Sequence, residues 1–120
     1  MLGAVAPVMI ERKRQGPLSA TAKPIDLAGF KASLAGDKPP GGLPRALQAL
    51  WHERKGDWKK AHELAQVQED SQGSWVHAYL HRVEGDLSNA GHWYGRAGKP
   101  RSAATLEEEW EEIARALLVG

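Results

Sequence analysis

The chain has 120 residues, 42% hydrophobic and 26% charged, the composition of one globular domain rather than of a disordered chain. Sixteen Lys and Arg against fifteen Asp and Glu leave a net charge of +1, so there is no general electrostatic footprint for nucleic acid or an anionic membrane. The absence of cysteine excludes disulfides, thiol catalysis and thiolate-held zinc or iron–sulfur centres, and no apolar run reaches the roughly 20 residues of a membrane-spanning helix.

Met1 to Ile10 is apolar and is followed by Glu11-Arg12-Lys13-Arg14. A secretory leader carries its positive charges before the apolar stretch. Here the order is reversed and Pro7 interrupts the run, so the expectation is no leader and a cytoplasmic protein. Residues 1–25 read as a loosely ordered extension, because Gly16, Pro17, Ser19, Thr21 and Pro24 break any apolar period. The triplet Arg12-Lys13-Arg14 reads as solvated charge.

Residues 26–120 read as a single all-α domain of about six short helices. Asp26 caps a first helix with Leu27, Phe30 and Leu34 on one face, and Gly36 with Pro39-Pro40-Gly41-Gly42 ends it. Pro44 suits the first position of a second helix, whose stripe is Leu47, Leu50 and Trp51, closing at Gly56. Asp57 caps a third with Trp58, Ala61, Leu64 and Ala65, which the polar Gln66 to Gln72 stretch closes. Ser74 opens a fourth with Trp75, Val76, Tyr79, Leu80 and Val83, ending at Gly85. Asp86 opens a fifth with Leu87, Ala90, Trp93, Tyr94 and Ala97, stopped by Gly98 and Pro100. Thr105 and Glu108 form a capping box for the sixth, which carries Leu106, Trp110, Ile113 and Leu117.

Lys55-Gly56-Asp57-Trp58-Lys59-Lys60-Ala61 repeats 29 residues later as Glu84-Gly85-Asp86-Leu87-Ser88-Asn89-Ala90, and the same shift places Leu47 on Val76, Ala49 on Ala78 and His52 on His81. Each unit reads helix, Gly-Asp turn, helix, giving hairpins over about 43–70 and 73–98. Neither hairpin can bury both apolar faces alone, so the two stack, flanked by an N-terminal and a C-terminal helix. The Gly-Asp-x-x-x-Ala turn resembles that of tetratricopeptide repeats, and Ala90-Gly91-His92-Trp93-Tyr94-Gly95-Arg96-Ala97 is similar to the Ala-x-x-Trp-Tyr-x-x-Ala of Sel1-like repeats. The first unit departs from that pattern at Ala65 and Gln68, and the 29-residue period is shorter than the roughly 34 of a tetratricopeptide array. Residues 26–118, through Trp51-His52-Glu53-Arg54-Lys55-Gly56-Asp57-Trp58 and Trp75-Val76-His77-Ala78-Tyr79-Leu80-His81-Arg82, resemble a family of small bacterial proteins of unassigned function.

The tetratricopeptide resemblance implies a non-catalytic interaction or scaffold module for a protein or peptide partner. The first helix of each hairpin would line a concave surface and expose Ala46, Leu50, Glu53, Trp75, Tyr79 and Arg82. The alternative is a metal- or ligand-binding protein. His77 and His81 are four apart and share a helix face, Glu84 lies near that stripe, and His52 at the equivalent repeat position is a fourth candidate. The 29-residue repetition of His52 and His81 favours a packing role for both. Ala78 stands where a His-Glu-x-x-His protease needs its base, and phosphate-binding glycine loops and nucleophile elbows are absent, so no enzyme and no cofactor are expected. The tryptophans read as core, with Trp75 at a helix start the one placed for exposure, and the carboxylates from Glu107 to Glu112 read as a solvated face.

Overall fold

A computed structural model describes residues 25–119. The extension expected over 1–25 therefore lies outside the described residues except for Ile25, which packs against the core. The described chain is all-α. It comprises α1 (Leu27–Ala32), a 3-10 turn (Ser33–Ala35), α2 (Arg45–Arg54), α3 (Trp58–Val67), α4 (Ser71–Glu84), α5 (Leu87–Ala97) and α6 (Leu106–Val119). None of these helices is long and apolar enough to cross a membrane.

The helix ends follow from local chemistry. The side chains of Asp26, Asp57 and Asp86 accept the N–H of Gly29, Lys60 and Asn89 at 2.8, 3.0 and 3.1 Å, satisfying backbone donors that a helix start leaves unpaired. Thr105 and Glu108 bond reciprocally, each side chain accepting the other's N–H at 3.0 Å. The two repeated turns share one geometry. Gly56 and Gly85 sit at φ of +90° and +89°, and the following Asp57 and Asp86 N–H groups donate to the carbonyls of His52 and His81, both at 2.9 Å. That is a left-handed closure in which glycine carries no Cβ penalty.

Two helix starts differ from expectation. Pro44 is the residue before α2 rather than its first, with an extended ψ of 157°. The fourth helix begins at Ser71 rather than Ser74, because Asp70 accepts the Gly73 N–H at 2.9 Å and is the stronger cap. Ser74 is buried within α4 instead. A Cβ on the neighbouring Gly73 would run into the Gln68 backbone carbonyl, so the glycine permits the close approach of the α3–α4 link.

α2 pairs with α3 and α4 with α5 as antiparallel hairpins, α3 packs on α4, and α6 lies across α2 and α4 with α1 beside it. This covers the concave face of the two hairpins. Ala46, Leu50, Trp75 and Tyr79 are buried, and Glu53 and Arg82 are half-buried. Tyr79 donates to Glu53 Oε1 at 3.1 Å, and Lys99 lies over the Trp75 ring, which is therefore not exposed. Trp110 of α6 donates from Nε1 to the Leu50 carbonyl at 3.0 Å, stacks on Phe30 at 5.6 Å and lies under the Arg54 guanidinium at 3.9 Å. Glu109, expected on a solvated face, is only 1% exposed; it accepts Arg82 at 2.7 Å and the Tyr94 hydroxyl. The six proposed recognition residues are thus the inner wall under α6, because the apolar stripe of that helix needs a face to bury.

Two expected outcomes follow. Gly73→Ala lowers the melting temperature, whereas Gly95→Ala, whose Cβ meets nothing within 4 Å on exposed α5, raises stability by about 0.5–1 kcal/mol. Glu109→Ala strands the Arg82 charge and costs about 3–5 kcal/mol in denaturant unfolding. A cost below about 1 kcal/mol would show that α6 does not seat on this pair.

Candidate metal centre

Three of the five histidines converge where the two hairpins meet. His77 and His81 stand one turn apart on α4, which brings their rings into a stack at 4.9 Å. α3 packs across this turn and delivers His62, whose ring meets His77 edge-on at 4.5 Å and His81 at 5.3 Å. Each of the three imidazoles offers one nitrogen such that all three atoms lie within 4.8 Å of one another. His77 and His81 are buried, while His62 is partly open to solvent.

Two tryptophans wall the cluster. Trp58 stacks on His62 at 4.9 Å and anchors α3 to α4 by donating its Nε1–H to the Leu80 carbonyl at 2.8 Å. Trp93 of α5 stacks on His77 at 3.8 Å. A cleft of about 300 Å³ opens beside His77 between Trp93, Arg96, Ser74 and Gln68.

The polar contacts bear on the protonation states. His62 Nε2 and His77 Nε2 are 2.9 Å apart, so one must donate to the lone pair of the other. Burial lowers the pKa of both rings, and neighbouring histidines lower them further; His77 is pushed down to about 4, with Arg96 and His92 adding to the effect. Both rings are therefore neutral at pH 7, the form that ligates a metal. His81 Nδ1 lies 2.7 Å from Glu84 Oε2.

Of the residues singled out in the sequence, His77 and His81 belong to the cluster. Glu84 bonds to His81 but falls outside the three-imidazole set, grouping instead with His81 and Asp86 at the exposed end of α4. His52 does not join them: it sits at the end of α2, edge-on to Trp51 at 5.1 Å. The third imidazole comes instead from His62, which the sequence reading did not single out. The signal for it was present, since His62 follows Trp58 by four residues and lies on the side of α3 that Ala61 and Ala65 bury. The repeat points only to the first helix of each hairpin, whereas the neighbour of α4 across the hairpin boundary is the second helix of the preceding unit.

In metal-free protein the His77 ring is expected to titrate by NMR near pH 4, and His62→Ala to move that midpoint upward by removing a neighbouring positive charge. The unfolded chain binds the proton near the ordinary value of 6.5 and the folded chain only near 4. Stability therefore falls as pH drops from about 6.5 toward 4. A His77 midpoint at or above 6.5 would contradict this environment.

Comparison with protein-family models, with curated proteins and with solved structures returned no match.

Proposed function

We propose that this protein binds a divalent transition-metal ion, zinc or an ion of similar preference, on His62, His77 and His81. The convergence of three imidazole nitrogens, two from one turn of α4 and one from α3, carries the reading. Two nitrogens each about 2.0–2.1 Å from one zinc stand about 3.3 Å apart at the tetrahedral angle. The His62–His77 pair at 2.9 Å needs to open by only about 0.4 Å to meet that spacing. Both His62 and His77 are neutral at neutral pH, so binding needs only that the proton between their two Nε2 atoms shift to the Nδ1 of the ring that carries it. His62, the partly open member, supplies the entry side.

The two helical hairpins, read as a short tetratricopeptide-like pair, serve as the scaffold. An ion held between α3 and α4 joins the first hairpin to the second, so its binding free energy adds to the stability of the stack. Interaction with a peptide through Ala46, Leu50, Glu53, Trp75, Tyr79 and Arg82 is the weaker reading, because α6 covers that wall.

Calorimetry on tag-free protein is expected to give one zinc per chain. Zinc at roughly a hundred times the Kd would add about 2.7 kcal/mol of stability, seen as a raised melting temperature that chelator reverses. His62→Ala and His77→Ala each abolish the chelator-sensitive rise, while His52→Ala leaves it intact. A stoichiometric ion that survives both former substitutions, or affinity no tighter than exposed surface histidines give, overturns the proposal.

A further inference from the structure

Glu84 stands in a position that separates two kinds of three-histidine site. Its Oε2 is 2.7 Å from His81 Nδ1, three residues back along the same helix, and its side chain is 38% exposed at the end of α4. No oxygen of Glu84 joins the group of atoms that His62, His77 and His81 bring within 4.8 Å of one another. A carboxylate bonded to Nδ1 fixes the proton there, leaving the Nε2 lone pair free, and makes that nitrogen more basic.

The charge balance is equally specific. Three neutral imidazoles neutralise none of an ion's two charges, and Glu84 offsets one of them from one hydrogen bond away. The cleft of about 300 Å³ that touches His77 is lined by both Arg96 and Glu69, together with Ser74 and Gln68, and of these charges Arg96 is the one felt at the His77 ring. His62 is partly open to water. A fourth protein donor is lacking among the described residues that crowd the three nitrogens.

Resting on the metal-binding reading above, we infer that the centre is an open three-imidazole site in which Glu84 orients His81 from outside the coordination shell and the fourth position takes water or a small anion. The alternative is a closed site in which Glu84 swings in as fourth ligand.

Cobalt(II) loading of the tag-free full chain separates the two, with azide as the probe anion. The wild type is expected to bind one cobalt with the intense visible bands of a four-coordinate ion. Azide should shift those bands saturably. Glu84→Gln should keep the azide-free spectrum and the azide response while weakening cobalt binding about 10- to 100-fold. In the metal-free state, nitrogen-15 NMR should assign His81 as the Nδ1–H tautomer in the wild type. Circular dichroism checks that Glu84→Gln is folded.

A wild-type spectrum indifferent to azide, a Glu84→Gln spectrum altered before azide is added, or an Nε2–H tautomer at His81 each overturns the open-site inference while leaving the three-histidine site standing. Failure of the wild type to hold stoichiometric cobalt overturns both, and is seen before any azide is present.

Discussion

Taking the Glu109 carboxylate out of water costs several kcal/mol unless fixed partners receive it, and α6 has one seating in which they do. Arg82 from the end of α4 and Tyr94 from α5 meet its two oxygens, and the second guanidinium nitrogen of Arg82 donates to the Ala104 carbonyl just before α6 begins. A slip of one residue along the helix would leave the charge buried and unmatched. The adjacent Trp110 then falls against Leu50, Phe30 and Arg54, so two consecutive residues tie α6 to α1, α2, α4 and α5. With that wall closed, α4 is packed on several sides. Its run from Gly73 to His81 is buried without interruption, and two histidines stand in that run.

Imidazoles are costly occupants of such a position. Leu or Val would fill the volume between α3 and α4 with no polar atom to satisfy, whereas each buried ring nitrogen needs a partner. The cluster meets this need only in part, through the Glu84 contact on His81 and the His62–His77 bond, with burial keeping the His62 and His77 rings neutral. Stacked Trp58 and Trp93 hold the rings from both sides and limit their rotation. Neutral, oriented and crowded nitrogens are what a metal ion requires of a protein, and they are a poor solution to packing alone.

The parts of this architecture governed by neighbouring residues were legible in the sequence. Aspartate caps, the reciprocal Thr105–Glu108 box and the left-handed glycines depend on groups within a few positions of one another, and they stand where the residue types indicated. The start of α4 was less legible because Gln66 to Gln72 is polar apart from Val67 and offers several capping residues, of which Asp70 is a better cap than Ser74. Glu109 was unreadable for a different reason. Of the five glutamates around Trp110, the spacing of three from Leu106 and four to Ile113 puts Glu109 beside the apolar stripe, but nothing local names its partners Arg82 and Tyr94, which lie 27 and 15 positions back along the chain. The metal centre was half legible: the i, i+4 pair on α4 is a local pattern, but His62 depends on which helix packs across it. The repeat drew attention to His52, whose backbone carbonyl shares the turn geometry of His81 while its side chain lies elsewhere.

The bond from Trp110 to Leu50 spans 60 positions, far longer than the contacts that form either hairpin. Short-range closures cost less chain entropy than one across 60 positions, so the hairpins are expected to form before α6 docks. During synthesis, a chain that has emerged only as far as the α5–α6 link presents the wall of Ala46, Leu50, Trp75 and Tyr79 uncovered, with the Arg82 charge beside it. That interval is a window of vulnerability to association between nascent chains. Its length is set by how soon Glu109 and Trp110 follow α5, and the short link from Gly98 to Thr105 keeps it brief.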